Sequence, residues 1–253
     1  AIDAAGRLTP LGRRLARLPV DPRIGRMLLA AAEHHCLREV LIIAAALSVQ
    51  DPRERPIDKQ QAADEIHATF FHEDSDFLGY LNLWRFLEEQ RRHLSKAKFR
   101  KLCQRHFLSW SRVQEWRDIH QQLRLQLHEM GLGETQAEGS YEEIHRALVS
   151  GLLSNIGFKD EKREYLGARN SRFYIHPGSS QFQKSPKWIM AAERVETTKL
   201  YGRIVARVQP EWIEAAARHL IQKTYSEPHW QSKAGQVAAY EKYMTTKTEE
   251  YNL

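Results

Sequence analysis

The sequence is poor in the features that usually mark an enzyme. It has no GxxxxGKS/T and no GxGxxG, so no phosphate-cradling loop, and no GxSxG nucleophile elbow. Its two cysteines, Cys36 and Cys103, allow neither a disulfide framework nor a thiolate metal cage, and they suit a reducing, cytoplasmic setting. The longest apolar run, residues 40–47, falls far short of the ~20 residues that cross a bilayer, so no membrane partner is expected. Signal-peptide pattern, internal repeat and low-complexity segment are all missing. The chain opens on Ala1 rather than Met, and residues 1–22 read as the tail of a domain that begins elsewhere.

Histidine is plentiful, but its spacing is uninformative. His67, His72, Glu73, Asp74 and Asp76 cluster without matching a tetrahedral template, so they read as solvated polar residues and no metal is expected. His34-His35 and His106 read as satisfied histidines in helical context. Glu88-Glu89 and Glu142-Glu143 suit a helix face and a capping box better than a catalytic dyad. On these grounds the chain is a binding module without a visible active site.

Positive charge is the first thing present in excess. Net charge is +6, with a pI near 9.3. Residues 91–117 alone hold nine Lys/Arg against one acid, Glu115, a local charge of +8, interleaved with Phe107, Trp110 and Trp116. Such a field favours a polyanion such as a nucleic acid; a solvated helix face is the alternative.

Hydrophobic periodicity divides the chain into a helical part and a strand part. Thr9-Pro10 is an N-cap with proline at N1. Two helices follow across 24–48, the second (REVLIIAAALS) apolar around most of its circumference and so central to the core. A proline-broken connection (50–61) leads to a helix marked by Ala62, Ile66 and Phe70. Ser75 and Ser95 cap the next two, and a long one runs through Val113, Trp116, His120, Leu123 and Leu127 to Gly131. Ser140 and Glu143 form a capping box for a last helix that Gly157 is expected to close. Strands are expected at 164–168, 172–176, 188–195 and 200–208, separated by the turns Asn170-Ser171, HPGSS (176–180) and TTK (197–199). In the last strand Leu200, Gly202, Ile204, Ala206 and Val208 would share one face, and Tyr201, Arg203, Val205 and Arg207 the other. That second face suits either base stacking and phosphate pairing or plain solvation. Pro210 opens a final helix through 220, and the polar stretch from Thr224 is expected to fray.

The order of motifs carries a resemblance. LTPLGRRLARLPVDPRIGRML (8–28), EVLIIAAALSVQDPRERP (39–56), SDFLGYLNLWRFL (75–87), FRKLCQRHFLSWSRVQEW (99–116), HRALVSGLLSNIGF (145–158), YLGARNSRFYIHPGSS (165–180), PKWIMAAERVETTKLYGRIVARVQPEW (186–212) and TYSEPHW (224–230) follow one another in this chain. In that order they resemble the closing regions of DEAH-box RNA helicases, with QDPRERP, GARNSRF and TYSEPHW most similar to bacterial HrpA-type members. The resemblance implies an α+β architecture: the end of a winged-helix domain (1–22), an all-helical ratchet (HA2) bundle (23–157), a small OB-fold β-barrel with a C-terminal helix (158–223) and an extension (224–253).

It also implies a role. The parent enzyme would couple ATP hydrolysis to 3′-to-5′ movement on RNA, with ATP and Mg held by motor domains outside this chain. This part would bind no cofactor of its own, hydrolyse nothing, and form one wall of a single-stranded RNA channel against the enzyme's RecA-like and winged-helix domains. The implied RNA contacts are His106, Ser109 and Arg112 on the ratchet side. On the barrel side they are Arg169, Ser171, Arg172, Ser179, Ser180, Lys184, Lys187, Thr198, Lys199 and Tyr201. Relatives often carry Asn where Ser109 stands. Short hydroxyls, turn N–H groups and lysines suit phosphate oxygens and read backbone rather than base identity. The competing reading is a docking module whose barrel surface receives a protein partner.

Overall fold

A computed structural model describes residues 1–3, 5–160 and 163–218, and beyond them the backbone of residues 221–225, 229–231, 236–238 and 241–245. Helices come first: α1 (Pro10–Leu15), α2 (Pro22–Glu33), α3 (Leu37–Leu47), α4 (Gln60–Ala68), α5 (Asp76–His93), α6 (Lys96–Arg105), α7 (Trp110–Glu129) and α8 (Tyr141–Leu152). Their starts follow side-chain capping. Thr9, Ser75 and Ser95 each accept a backbone N–H of the first turn, and Ser140 and Glu143 complete a reciprocal capping box. Residues 40–46 of α3 are all buried, and α3 packs against α2, α5, α7 and α8 as the axis of the bundle.

Five strands then close a barrel: β1 (Ile156–Lys159), β2 (Tyr165–Gly167), β3 (Arg172–Ile175), β4 (Trp188–Glu196) and β5 (Leu200–Arg207), in the order β1-β2-β3-β5-β4. Only the β3–β5 pairing is parallel. Helix α9 (Pro210–Ala217) follows, ends at Arg218 and packs on α8; residues 219–220 of its expected span lie outside the described residues. In the stretch expected to fray, β6 (Ile221–Tyr225) pairs with β9 (Glu241–Thr245) and β7 (His229–Gln231) with β8 (Gln236–Ala238), so paired strands stand where none was expected.

Two cores sit side by side. The larger fills the bundle and takes in Ile156, Met190, Ala206 and Val208 from the barrel. The smaller fills the barrel with Tyr165, Phe173, Ile175, Ile189, Ala191 and Val205. Alternation along β4 sends Ile189 and Ala191 into the barrel and Met190 against the helices, which fuses the two domains through one strand.

Two further expectations need correction. Gly157 does not close a helix; it lies inside β1, paired with Gly167 and Ile189. A Cβ there would stand 2.5 Å from the Phe173 ring, so the glycine serves the close approach of a strand to an aromatic core. The even alternation expected through β5 also fails. Gly202 lies against Phe173 in the barrel, yet Val205 rather than Ile204 is the next residue inside. Ile204 has φ +56°, a left-handed conformation that costs a β-branched residue about 1–2 kcal/mol. Its turn shifts the phase of the strand and interrupts the β4–β5 pairing between Ala191–Val205 and Glu193–Arg203.

Candidate nucleic-acid interface

The cause of that shift is a joint built on the first turn of α5. Residues 74–76 run alongside the end of β5: Ser75 bridges Ala206, and the Arg207 N–H donates to the Asp74 carbonyl at 3.0 Å. Asp76 then takes four donors on one carboxylate. The Ser179 hydroxyl (2.5 Å), the Ser180 N–H (2.9 Å) and hydroxyl (2.7 Å), and the Val205 N–H (2.8 Å) all point to it. The left-handed turn at Ile204 aims the Val205 N–H away from β4 and toward this acceptor. Around it, Asp74 pairs with Arg207 (3.0 Å) and Lys184 (3.4 Å). The Gln181 amide donates to the Glu73 carbonyl, and the Tyr141 hydroxyl sits between the carbonyls of Asp74 and Arg207. Beneath lies His145, fully buried, stacked on Tyr141 at 3.8 Å. Its Nδ1–H donates to the Tyr141 carbonyl and its Nε2 accepts from Ser75, which fixes the neutral tautomer. Burial pushes its pKa down to about 3.

Beside the joint, bundle and barrel enclose a cleft of about 1450 Å³. Arg53, Arg55 and Arg112 line it from the helical side; His176, Ser179 and Arg203 line it from the barrel. Arg53 chelates Asp51 at 2.6 Å and lies over the Tyr80 ring at 5.1 Å. Burial would raise the Asp51 carboxyl, but Arg53 holds it below the usual range. Arg55 pairs with Asp64 (2.6 Å) and Arg203 with Glu193 (3.6 Å). Arg112 donates to the Asp51 carbonyl (3.2 Å). Burial, then Arg203 and Arg55, push the His176 pKa down, against a smaller opposite effect of Asp76.

An aromatic strip leads out of the cleft along β3 and β5. Tyr174 and Tyr201 are register partners with ring centroids 6.3 Å apart, and Tyr201 meets His176 edge-on at 5.9 Å. The Lys199 ammonium sits 4.4 Å above the Tyr174 ring. The Tyr174 hydroxyl donates to Glu164, which is also gripped by Arg172.

The residues singled out by sequence therefore fall into separate groups. Arg112 and Ser179 line the cleft, and Lys199 and Tyr201 belong to the strip. Ser180 and Lys184 belong to the joint, which Ser179 shares. Arg172 is clamped between Asp160 (2.9 Å) and Glu164 (2.6 Å). Ser171 donates to the Ala168 carbonyl and accepts from Arg194. His106 donates Nδ1–H to the Leu102 carbonyl and packs on Phe86 at 4.9 Å; the Ser109 hydroxyl bonds Ser111. Arg169 and Thr198 are exposed on turns, and Lys187 reaches over Phe158 at 5.6 Å. Sequence reasoning missed Arg53, Arg55, Tyr174, His176 and Asp76. The two-residue spacing of Tyr174 and His176 was a usable signal that they share a strand face with Tyr201 beside it. Nothing local marks Asp76.

Family models match three consecutive parts of the chain. A helicase-associated (HA2) winged-helix domain matches residues 1–20, a helicase-associated (HA2) ratchet-like domain residues 21–109, and an oligonucleotide/oligosaccharide-binding (OB) fold residues 144–221. The chain carries the helicase-associated (HA2) and OB domains of DEAH-box RNA helicases. It is 56% identical over 94% of its length to the ATP-dependent RNA helicase HrpA of Escherichia coli K12 and 55% identical over 93% to the Haemophilus influenzae HrpA homologue. It is 31% identical over 86% to the pre-mRNA-splicing factor ATP-dependent RNA helicase prp22 of Schizosaccharomyces pombe. The chain spans 18% of the length of each of these relatives. Among the described residues of this HA2–OB chain, no helix is long and apolar enough to cross a membrane.

Proposed function

We propose that the cleft and the aromatic strip form one wall of a single-stranded RNA path in an ATP-dependent RNA helicase that moves 3′-to-5′. The observation that carries this reading is the cleft that Arg53, Arg55 and Arg112 of the bundle share with His176 and Arg203 of the barrel, with Tyr201, Tyr174 and Lys199 leading outward. Guanidiniums take phosphates and aromatic faces take bases of any identity, the combination a sequence-blind single-strand path requires. Phosphoryl transfer needs nucleotide-binding loops that this sequence does not contain, so the chain's part is to hold RNA while ATP is hydrolysed by other domains.

Fluorescence anisotropy with a labelled oligo-U tests the reading. Binding should be micromolar or weaker, with log K falling linearly in log salt. Tyr201→Ala should cost about 1–3 kcal/mol of binding, the usual worth of one base stack, and Lys199→Ala should flatten the salt slope, both with an unchanged melting temperature. A folded sample that binds no oligo-U at low salt refutes the proposal, and so does ATP turnover by this chain alone.

A further inference from the structure

Helix α6 reads KAKFRKLCQR and contains no acid. Its apolar side is anchored: Phe99, Leu102 and Cys103 are buried, and Phe99 meets Trp110 edge-on at 5.6 Å. Lys96, Lys98, Arg100, Lys101 and Arg105 spread over the rest of its circumference, all exposed, and none of the five makes an ion pair among the described residues. This is unlike the neighbouring end of α5, where Arg91, Arg92 and His93 pair with Glu88 and Glu89. It is also unlike the cleft, where Arg53, Arg55 and Arg203 each have a carboxylate. Within α6, Lys96 and Arg100 repel at four-residue spacing, as do Lys101 and Arg105, and the first turn opposes the helix dipole. The helix bears a self-repelling face that an external polyanion would relieve.

We infer that the solvent face of α6 is a second RNA-binding surface, which takes the phosphate backbone of a duplex outside the cleft. The inference rests on the RNA reading above for the class of partner, and on α6 itself for the form. The exposed side of α6 offers Lys, Arg, Ala97 and Gln104 and no aromatic ring, so it cannot stack unpaired bases. A duplex keeps its bases inside and presents phosphates, and a ten-residue helix about 15 Å long lies alongside several of them. Lys98, Lys101 and Arg105 follow one another at three- and four-residue spacing along one side.

The experiment compares the 1–253 chain with Lys98→Glu/Lys101→Glu/Arg105→Glu against a short blunt RNA duplex, a short oligo-U and polyglutamate. Duplex affinity at low salt should fall about tenfold or more, and the salt slope should flatten by about three counterions. Oligo-U affinity should change less than about twofold. The melting temperature should change little, because all three side chains are exposed and an acid at position 98 suits the first turn of the helix. If the triple variant loses helicity, Lys98→Gln/Lys101→Gln supplies the same comparison with a smaller drop. Unchanged duplex binding overturns the inference; so does an equal loss for duplex and oligo-U, which would make α6 part of the cleft site. Polyglutamate binding as tightly as duplex would assign the face to acidic proteins instead. Failure of the cleft reading is separate: Tyr201→Ala and Lys199→Ala would then leave oligo-U binding unchanged while the α6 variants still lost duplex.

Discussion

Replacing Asp76 by alanine should loosen the whole joint. The substitution removes one carboxylate but strands donors on three residues, two of them backbone N–H groups. Each unsatisfied N–H costs about 1–3 kcal/mol, while the hydroxyls can turn to other acceptors. Letting Ile204 leave φ +56° returns about 1–2 kcal/mol. The net loss is therefore about 3 kcal/mol, and for a chain of this size that is about 6–12 °C in melting temperature. Urea unfolding followed by tryptophan emission reads it directly, since Trp188 packs on the bundle core and Trp212 lies 6.2 Å from Tyr141 in the joint. A double-mutant cycle with Ser180→Ala isolates the pair and should give a coupling of about 1 kcal/mol or more. An Asp76→Ala protein within about 0.5 kcal/mol of the parent, or strict additivity with Ser180→Ala, would refute the account of the joint.

Acid should destabilise the protein through buried histidines. His145 titrates near 3 when folded and His120 near 4, both pushed down by burial, against 6.5 unfolded. Their contribution is complete above pH 6.5 and is lost as pH falls below it, because only the unfolded chain then takes up the protons. Between about pH 7.5 and pH 5 each should cost about 2 kcal/mol, measured by urea midpoints at both pH values; a His145→Gln variant with an unchanged pH slope would contradict this. Gly157→Ala should destabilise by about 1–3 kcal/mol by driving a methyl into Phe173, checked by thermal melting, and a neutral result would mean that the barrel core yields easily. Arg172→Ala should leave the melting temperature unchanged, since its pairs with Asp160 and Glu164 lie in water, and differential scanning fluorimetry settles it.

The helical half was legible because its signals are local. Thr9, Ser75, Ser95 and Ser140 cap the helices they precede, and the apolar stripes of α5, α6 and α7 face the bundle core. The barrel was legible only in part. Strand β1 is four residues containing a glycine, directly after a helix, too short for any period to register. The alternation of β5 breaks at Ile204 because of a carboxylate more than a hundred residues earlier, and no window of sequence contains both.

The same distance explains why the HPGSS turn is ambiguous by chemistry. Two serine hydroxyls and an N–H in a tight turn are equally good ligands for a phosphate oxygen and for a carboxylate oxygen. Only the fold shows that Asp76 already occupies the donors of Ser179 and Ser180. The cleft repeats the pattern, with Arg53, Arg55 and Arg203 each held by an acid of their own domain. On the proposed path an RNA phosphate would have to trade places with a carboxylate at these arginines, so each contact would yield little net free energy. Shallow, exchangeable contacts are what a strand sliding past requires, since tight ones would hold it still. The stacking strip, where Lys199 rather than an acid lies over a ring face, would then supply the grip.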